Sequence, residues 1–354
     1  MMGGKGNRCP PEMKALVYTG PGQMELSQWE KPVRGEGEVL VKVKAVGICG
    51  SDVEGYLGKT GRRIPPMIMG HEFSGEVAEV GGRSKFRVGD RVVVQPKLYC
   101  GSCSYCQMGF SNICPHGQFL GVMSRNGAMA EYVSVGEQYV FGFGENTTYV
   151  EASMVEPLAV AHRAVSKLGT AIDEAKYLLV VGAGTIGLLV LQMLRKQGAR
   201  SVIVSDLSEY RLEKARELGA DYAINPGRKN LKAAISEITS DKMVDYSFEA
   251  VGLNPTAVDS LEGLRIGGTA VWIGNAQKMI EIDMQQIVTT ELTVKGTYIY
   301  TDEDYVQCLN LIEEKAVSLE PLISVQTELD NGPEVFRQLA ENKDGRLLKA
   351  ILMP

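Results

Sequence analysis

Histidine is scarce in this chain, with three in 354 residues. Any imidazole chemistry must therefore fall to His71, His116 or His162. Charge is not gathered either. The net charge is −6 and no long block of one sign occurs, so the electrostatic footprint of a nucleic-acid partner is missing. Lys59, Arg62 and Arg63 form one short basic cluster; a solvated loop is the plainer reading and an anion site the alternative. The first eleven residues lack an apolar core of the signal-peptide kind and read as a disordered or expression-derived tail. The longest apolar run, Tyr177 to Leu194, is broken by three glycines, which argues against a membrane span. Internal repeats and low-complexity segments are lacking too. Seven cysteines are present, and only Cys9 and Cys308 fall outside two ligand-like sets. That usage suits thiolate ligands in a reducing compartment, the cytoplasm, better than a secreted disulfide framework.

What is present divides the chain in two. The length and a hydrophobic content of 44% suffice for two packed domains. From Met13 to about Glu156, short apolar runs alternate with Gly and Pro. Lys14–Tyr18, Val39–Val46, Ser74–Val80, Arg91–Gln95 and Met129–Val135 read as strands of a small barrel or sandwich, and helical signal is poor until about Val150. From Tyr177 the pattern becomes strand–helix–strand, the mark of a parallel sheet. Tyr177–Val181, Ser201–Ser205, Val244–Glu249, Thr269–Ile273 and Leu292–Gly296 are its expected strands. Glu209–Leu218 is a helix with Leu212, Ala215 and Leu218 on one face. The last stretch holds two helix-like segments and a strand, Leu347–Met353, expected to return to the first domain. The expected organisation is α/β with two domains: a tail at 1–12, a β-rich domain over 13–160 and 299–354, and a nucleotide-binding domain over 161–298.

Gly182-Ala-Gly184-Thr185-Ile186-Gly187 follows a strand and opens an amphipathic segment. Asp206 ends the next strand, 19 positions on. In that context the glycines make a dinucleotide loop, with pyrophosphate at the helix N-terminus and Asp206 on the ribose hydroxyls. A carboxylate there repels a 2′-phosphate, so NAD is favoured over NADP. Arg211 either flanks the adenine or is an exposed helix arginine. Val251, Ile273 and Gly274, near the ends of two later strands, join the candidate cofactor residues.

Two ligand sets precede the loop. Cys100, Cys103, Cys106 and Cys114 have the spacing of a tetrahedral zinc loop, filled by protein and hence structural; the lobe spans about 96–116. An iron–sulfur cluster or redox disulfides are the alternatives. Cys49, His71 and Glu156 mix soft, borderline and hard donors, which suits a zinc with an open position. Glu72 is either a direct ligand or an outer carboxylate that exchanges on and off the metal. Ser51 is placed to take the proton of a metal-activated alcohol, and a helix N-cap role is compatible with that. Asp52, His116 and His162 read as structural.

Cys49-Gly-Ser-Asp52, Gly70-His-Glu-Phe-Ser-Gly75, the four-cysteine lobe, Glu156-Pro-Leu158 and the glycine loop together resemble the zinc-containing medium-chain dehydrogenases. The resemblance covers nearly the whole chain from Met13. It implies a GroES-like catalytic domain, a Rossmann domain, and a homodimer or homotetramer joined through the Rossmann sheets. Within the family the chain is most similar to the polyol dehydrogenases, of sorbitol or galactitol-1-phosphate type. There the catalytic zinc is held by residues matching Cys49, His71, Glu72 and Glu156. Many relatives carry a histidine five residues after the ligand cysteine. Here that position is Glu54, so the proton leaves through Ser51 and cofactor hydroxyls or through Glu54. The expected activity is NAD-linked oxidation of a secondary alcohol on a polyol, cyclitol or sugar alcohol. A polyol phosphate is the alternative substrate. A non-catalytic redox sensor or crystallin-like protein, and a zinc-free quinone reductase, are the readings from other classes.

Overall fold

The structure is a computed structural model that describes residues 11–354 apart from 124, 170, 171 and 173. The tail expected at 1–12 lies outside the described residues as far as position 10, as does Cys9. Glu12 already opens the first strand, Glu12–Gly20.

Two sheets organise the molecule. The first is built around the long strand Glu38–Ile48, buried along most of its length. It pairs antiparallel with Glu72–Glu79, with Tyr132–Gly136 and with the C-terminal strand Lys349–Met353. The register matters for chemistry. Gly47 lies opposite Glu72, and Ala350 lies opposite Ile48. Cys49, His71, Glu72 and Lys349 therefore meet at one end of one sheet, although up to 300 positions separate them. The C-terminal strand also pairs parallel with Ile323–Glu328.

The second sheet has six parallel strands. Counted along the chain they are Leu178–Val181, Val202–Ser205, Tyr222–Ile224, Val244–Glu249, Leu264–Trp272 and Thr293–Gly296, in the spatial order 3-2-1-4-5-6. This is a GroES-like β-rich domain with a doubly wound Rossmann domain. Leu178–Val181 and Val202–Ser205 are wholly buried, because helices cover both faces of a parallel sheet. The glycine loop follows the first of these strands, where the strand order reverses, and it faces the crevice that binds ligands in such sheets.

Several elements differ from the expectation. Gly50–Tyr56 is a helix of seven residues, too short to show a hydrophobic period. Gln23–Glu30 is a strand whose residues are mostly polar, because it forms the outer arm of a hairpin with Glu12–Gly20. Tyr222–Ile224 is a three-residue edge strand. Leu264–Trp272 starts five residues before the expected strand, since Arg265, Gly267 and Gly268 mask its apolar pattern. The helix Val155–Ser166 runs unbroken across the expected boundary at 160.

Candidate metal centres and cofactor site

Cys49 is the cap residue of the helix Gly50–Tyr56, at the end of the sheet's central strand. Cys49, His71 and Glu72 each offer one ligand atom, all within 4.8 Å of one another. His71 and Glu72 are buried. Burial pushes the Cys49 thiol up to about 11, and the charge of Glu72 adds to the push. A divalent cation among these donors would reverse that balance, because it favours the thiolate. The donor set therefore fits zinc.

Glu156 stands outside this tight set. It is buried on the first turn of the helix Val155–Ser166, and Tyr300 OH donates to its Oε1 at 3.0 Å. Burial lifts its carboxyl to about 8; His71 opposes the shift, and Glu72 and Cys49 reinforce it. Ser51 is the second residue of its helix rather than the cap, which Cys49 occupies. Ser51 Oγ accepts from Arg63 Nη2 at 3.3 Å, so its own hydroxyl hydrogen remains to donate. Glu54 is half-buried on the same helix. Among the described residues, no hydrogen bond links its carboxylate to Cys49, His71 or Glu72.

Four residues around the site carried no sequence signal for their roles. Lys349 is buried, and its Nζ donates to both oxygens of Glu72, at 2.6 and 2.9 Å, and to Ile48 O at 3.1 Å. Burial opposes its charge, but Glu72 and Cys49 outweigh that and hold the ammonium above the ordinary lysine value. Arg63 belongs neither to a solvated loop nor to an anion site. It is buried, with Nη2 2.8 Å from Asp52 Oδ1. Asp52 in turn accepts from Cys49 N at 3.2 Å and lies 3.5 Å from His71 Nδ1. Tyr300 and Glu249 complete the list. All four are bound by partners remote in sequence or by backbone, which a linear pattern does not display. His162 Nδ1 pairs with Asp304 Oδ1 at 2.8 Å, and His116 is exposed.

The four-cysteine lobe is better defined by its sulfur distances. Sγ–Sγ separations are 3.5 Å for Cys103–Cys106 and Cys100–Cys114, 3.8 Å for Cys103–Cys114 and 4.0 Å for Cys100–Cys106. A tetrahedron with Zn–S bonds of about 2.3 Å has edges of about 3.8 Å. The backbone N–H groups of Ser102 and Cys103 hold the Cys100 thiol down at about 5, the ionised form a metal ligand needs. Lys97, mostly buried, faces Cys114 and Cys106. These residues fit a second zinc with no open position.

In the cofactor loop each glycine has its own reason. Gly182 has φ +98°, and a Cβ there would meet Val251 Cγ2 at 2.4 Å. A Cβ at Gly187 would meet Gly182 O at 1.8 Å. Gly184 has nothing within 4 Å of such an atom, so its face is open to a ligand, and it caps the helix Thr185–Lys196, of which Ile186 is the second residue. Asp206 accepts from Ala183 N at 2.7 Å and Ser208 N at 2.8 Å. Arg211 Nη1 is 3.9 Å from Asp206 Oδ2, while its Nε donates to Gly345 O. Val251 and Ile273 are gathered by buried Glu249. Its Oε1 accepts from Val251 N and Gly252 N, and its carbonyl from Ile273 N and Gly274 N. Thr185 Oγ1 donates to Leu348 O at 2.9 Å.

Fold and site together define a class, the zinc-binding dehydrogenases with a nucleotide-binding sheet. Residues 35–144 match the alcohol dehydrogenase GroES-like domain, and residues 185–314 match the zinc-binding dehydrogenase family. A sorbitol dehydrogenase of Halalkalibacterium halodurans is 34% identical over 97% of this chain and 99% of its own. A D-arabitol-phosphate dehydrogenase of Enterococcus avium is 32% identical over 95% and 97%. A solved structure from Sinorhizobium meliloti, described as a zinc-binding dehydrogenase and bound to NADP, superposes with a TM-score of 0.89 at 30% identity, covering 97% of this chain and all of that one. The chain belongs to the zinc-type alcohol dehydrogenase family, and it is an NAD(P)-linked oxidoreductase of that type.

Proposed function

We propose that this enzyme oxidises a secondary alcohol of a polyol to a ketone, reversibly, with NAD as the preferred acceptor. The observation that carries the proposal is the pair Leu348–Lys349. The carbonyl of Leu348 binds Thr185 at the cofactor helix, and the next residue binds Glu72 of the candidate metal set. Metal donors and nucleotide loop are thus tied to two consecutive residues, which supports the proximity that hydride transfer requires. The relatives named for sorbitol and for D-arabitol phosphate support a polyhydroxylated substrate.

Cys49, His71 and Glu72 are assigned as donors to a catalytic zinc, and Cys100, Cys103, Cys106 and Cys114 to a structural one. Zinc at the first set would supply Lewis acidity towards a hydroxyl oxygen, and a bound nicotinamide would supply the hydride acceptor. Ser51 Oγ is assigned to take the hydroxyl proton and would give up its own towards the cofactor side and water, with Glu54 as the second exit. Glu156, held by Tyr300, would be the further donor that completes the set read from the sequence. Asp206 receives the ribose hydroxyls and disfavours a 2′-phosphate, with Arg211 beside it. Val251, Ile273 and Gly274 are assigned to the cofactor site.

The parallel strands between 178 and 296 support a nucleotide-binding domain over 161–298. The return of Lys349–Met353 to the first sheet supports a catalytic domain over 13–160 and 299–354. No helix among the described residues is long and apolar enough to cross a membrane, and the ionisable thiol sets favour the cytoplasm. A homodimer or homotetramer through the Rossmann sheets is supported by the exposed edge strand Thr293–Gly296. The first test is initial NADH formation with sorbitol, galactitol, myo-inositol and L-threonine. Oxidation of a polyol, lost on chelation and restored by zinc, is expected. Failure of zinc-loaded protein to oxidise any of these polyols would overturn the reading.

A further inference from the structure

Arg63 lies outside the helix Gly50–Tyr56, yet its side chain closes on the first turn of that helix. The Arg63 side chain is 3% exposed and that of Asp52 is 0%. A single nitrogen, Nη2, donates to two acceptors, Asp52 Oδ1 at 2.8 Å and Ser51 Oγ at 3.3 Å. The surroundings are shaped to admit it. Gly55 stands inside the helix, and a Cβ there would meet Arg63 Cγ at 2.4 Å. A glycine in that position is destabilising relative to alanine, so the room for the arginine stem comes at a cost to the helix. The backbone is pinned as well. Arg63 forms a parallel bridge with Met123, and Met123 N donates to Arg62 O at 2.8 Å. Lys59 and Arg62, from the same basic cluster, are exposed.

The pair with Asp52 does not by itself account for a buried guanidinium. One carboxylate returns only part of the solvation that burial removes, and Arg63 Nε is buried with no hydrogen-bond partner among the described residues. Ser51, by contrast, is exposed, so the contact to its oxygen is no core contact. Its significance is directional. A serine oxygen has one hydrogen and two lone pairs, whereas a guanidinium donates and never accepts. Arg63 therefore occupies one lone pair of Ser51 Oγ and turns the hydroxyl hydrogen away from itself. One lone pair and the hydrogen are left for chemistry. Without Arg63, the Asp52 carboxylate, next in the chain, is free to take that hydrogen.

We propose that Arg63 is a positioning residue for proton transfer, which sets the direction in which Ser51 passes a proton. The proposal rests on the reading of Ser51 given above. The substrate O–H bond breaks as its proton joins the remaining lone pair of Ser51 Oγ, and the electron pair stays on the substrate oxygen. The original Ser51 O–H bond breaks as its hydrogen leaves for water. The serine ends neutral with one hydrogen, as it began, and Arg63 keeps all of its own.

The test is a double-mutant cycle of Arg63→Met and Ser51→Ala on the full-length, zinc-loaded protein, with kcat for the polyol oxidised fastest taken per bound zinc. Arg63→Met is expected to lower kcat by about tenfold or more, the worth of one charge-assisted hydrogen bond, with the KM for NAD within about twofold of native. On Ser51→Ala protein the same substitution should lower kcat by less than about threefold, because the hydroxyl it orients is gone. Equal falls in both backgrounds would assign Arg63 to the fold alone and overturn the proposal, as would an unchanged kcat. Stranding a buried Asp52 can unfold the variant. The cycle is therefore repeated on Asp52→Asn protein, where the same non-additivity is expected and additive falls would again overturn the proposal. If Ser51→Ala itself leaves kcat unchanged, the serine relay fails and its positioning with it. Should no polyol be oxidised, the polyol reading fails separately, and Arg63 is judged by crystallography. Ser51 is expected in one rotamer with Oγ on Arg63 in the native protein, and in others or turned to Asp52 in Arg63→Met. A rotamer that survives the substitution would overturn the proposal.

Discussion

Cys49 and Asp206 carry the sharpest tests of single side chains. Cys49→Ser keeps the shape of the cap residue but replaces a soft donor by a hard one. Turnover should fall below detection while NADH binding, followed by fluorescence titration, stays within a few-fold. Loss of NADH affinity with catalysis retained would refute the ligand assignment. Asp206→Ala removes the carboxylate that accepts from Ala183 N and Ser208 N. The ratio of kcat/KM for NAD over NADP should therefore fall by about tenfold or more, the worth of one charge-assisted hydrogen bond. An unchanged ratio would end the case for Asp206 as the discriminating group. Both residues were legible in the sequence because each sits in a short motif whose spacing is itself the mechanism. Lys349 was not, since its partner Glu72 is 277 positions away and the sheet register alone unites them. Removing one member of a buried pair strands the other charge, at a cost of about 3–5 kcal/mol. Lys349→Met should thus lower the urea midpoint markedly in chelated protein. The loss should be smaller with zinc bound, because the metal then takes over Glu72. Equal losses in both states would exclude Glu72 as a direct donor.

Among the elements, the parallel strands of the Rossmann sheet were readable because burial on both faces leaves nearly continuous apolar runs. The hairpin arm Gln23–Glu30 and the helix Gly50–Tyr56 were not, one because it is largely solvated and the other because it spans under two turns. That short helix has the larger consequence, since its cap is Cys49 and its second residue is Ser51. The zinc lobe is an element of a different kind, with exposed Tyr105, Met108, Phe110 and Ile113 and little core of its own. It is fastened to the rest of the molecule through Asp302, which accepts from Gln95 Nε2 at 3.0 Å, from Ser111 Oγ at 3.3 Å and from Tyr99 OH. A metal held by the four cysteines would replace the missing local hydrophobic stability. Cys103→Ser should reduce zinc content from two to one per subunit and lower the thermal midpoint by several degrees. A variant that keeps two zincs and full stability would show that the lobe does not depend on them.

At the scale of the whole molecule the unanswered geometry is the open edge of the Rossmann sheet. Thr293–Gly296 is exposed at all four residues and bonds to Leu264–Trp272 on one side only, among the described residues. Exposed edges of this kind invite pairing with a second chain. Apolar side chains cluster in the segments that flank it. Ile266 is 74% exposed, Met284 71%, Val288 64% and Val294 37%, more apolar surface than one sheet edge normally shows to water. A two-fold axis at this edge would join the strands of two copies into one continuous sheet and cover those side chains isologously. The sequence hid this because exposed valine and methionine look like core residues until their neighbours are known. Val294→Asp would place like charges across such an axis. If the edge is an interface, sedimentation analysis should then show the variant at half the mass of the native protein or less, with the circular dichroism spectrum unchanged. If the variant keeps the native mass, this edge is not the interface, and the apolar side chains around it need another partner.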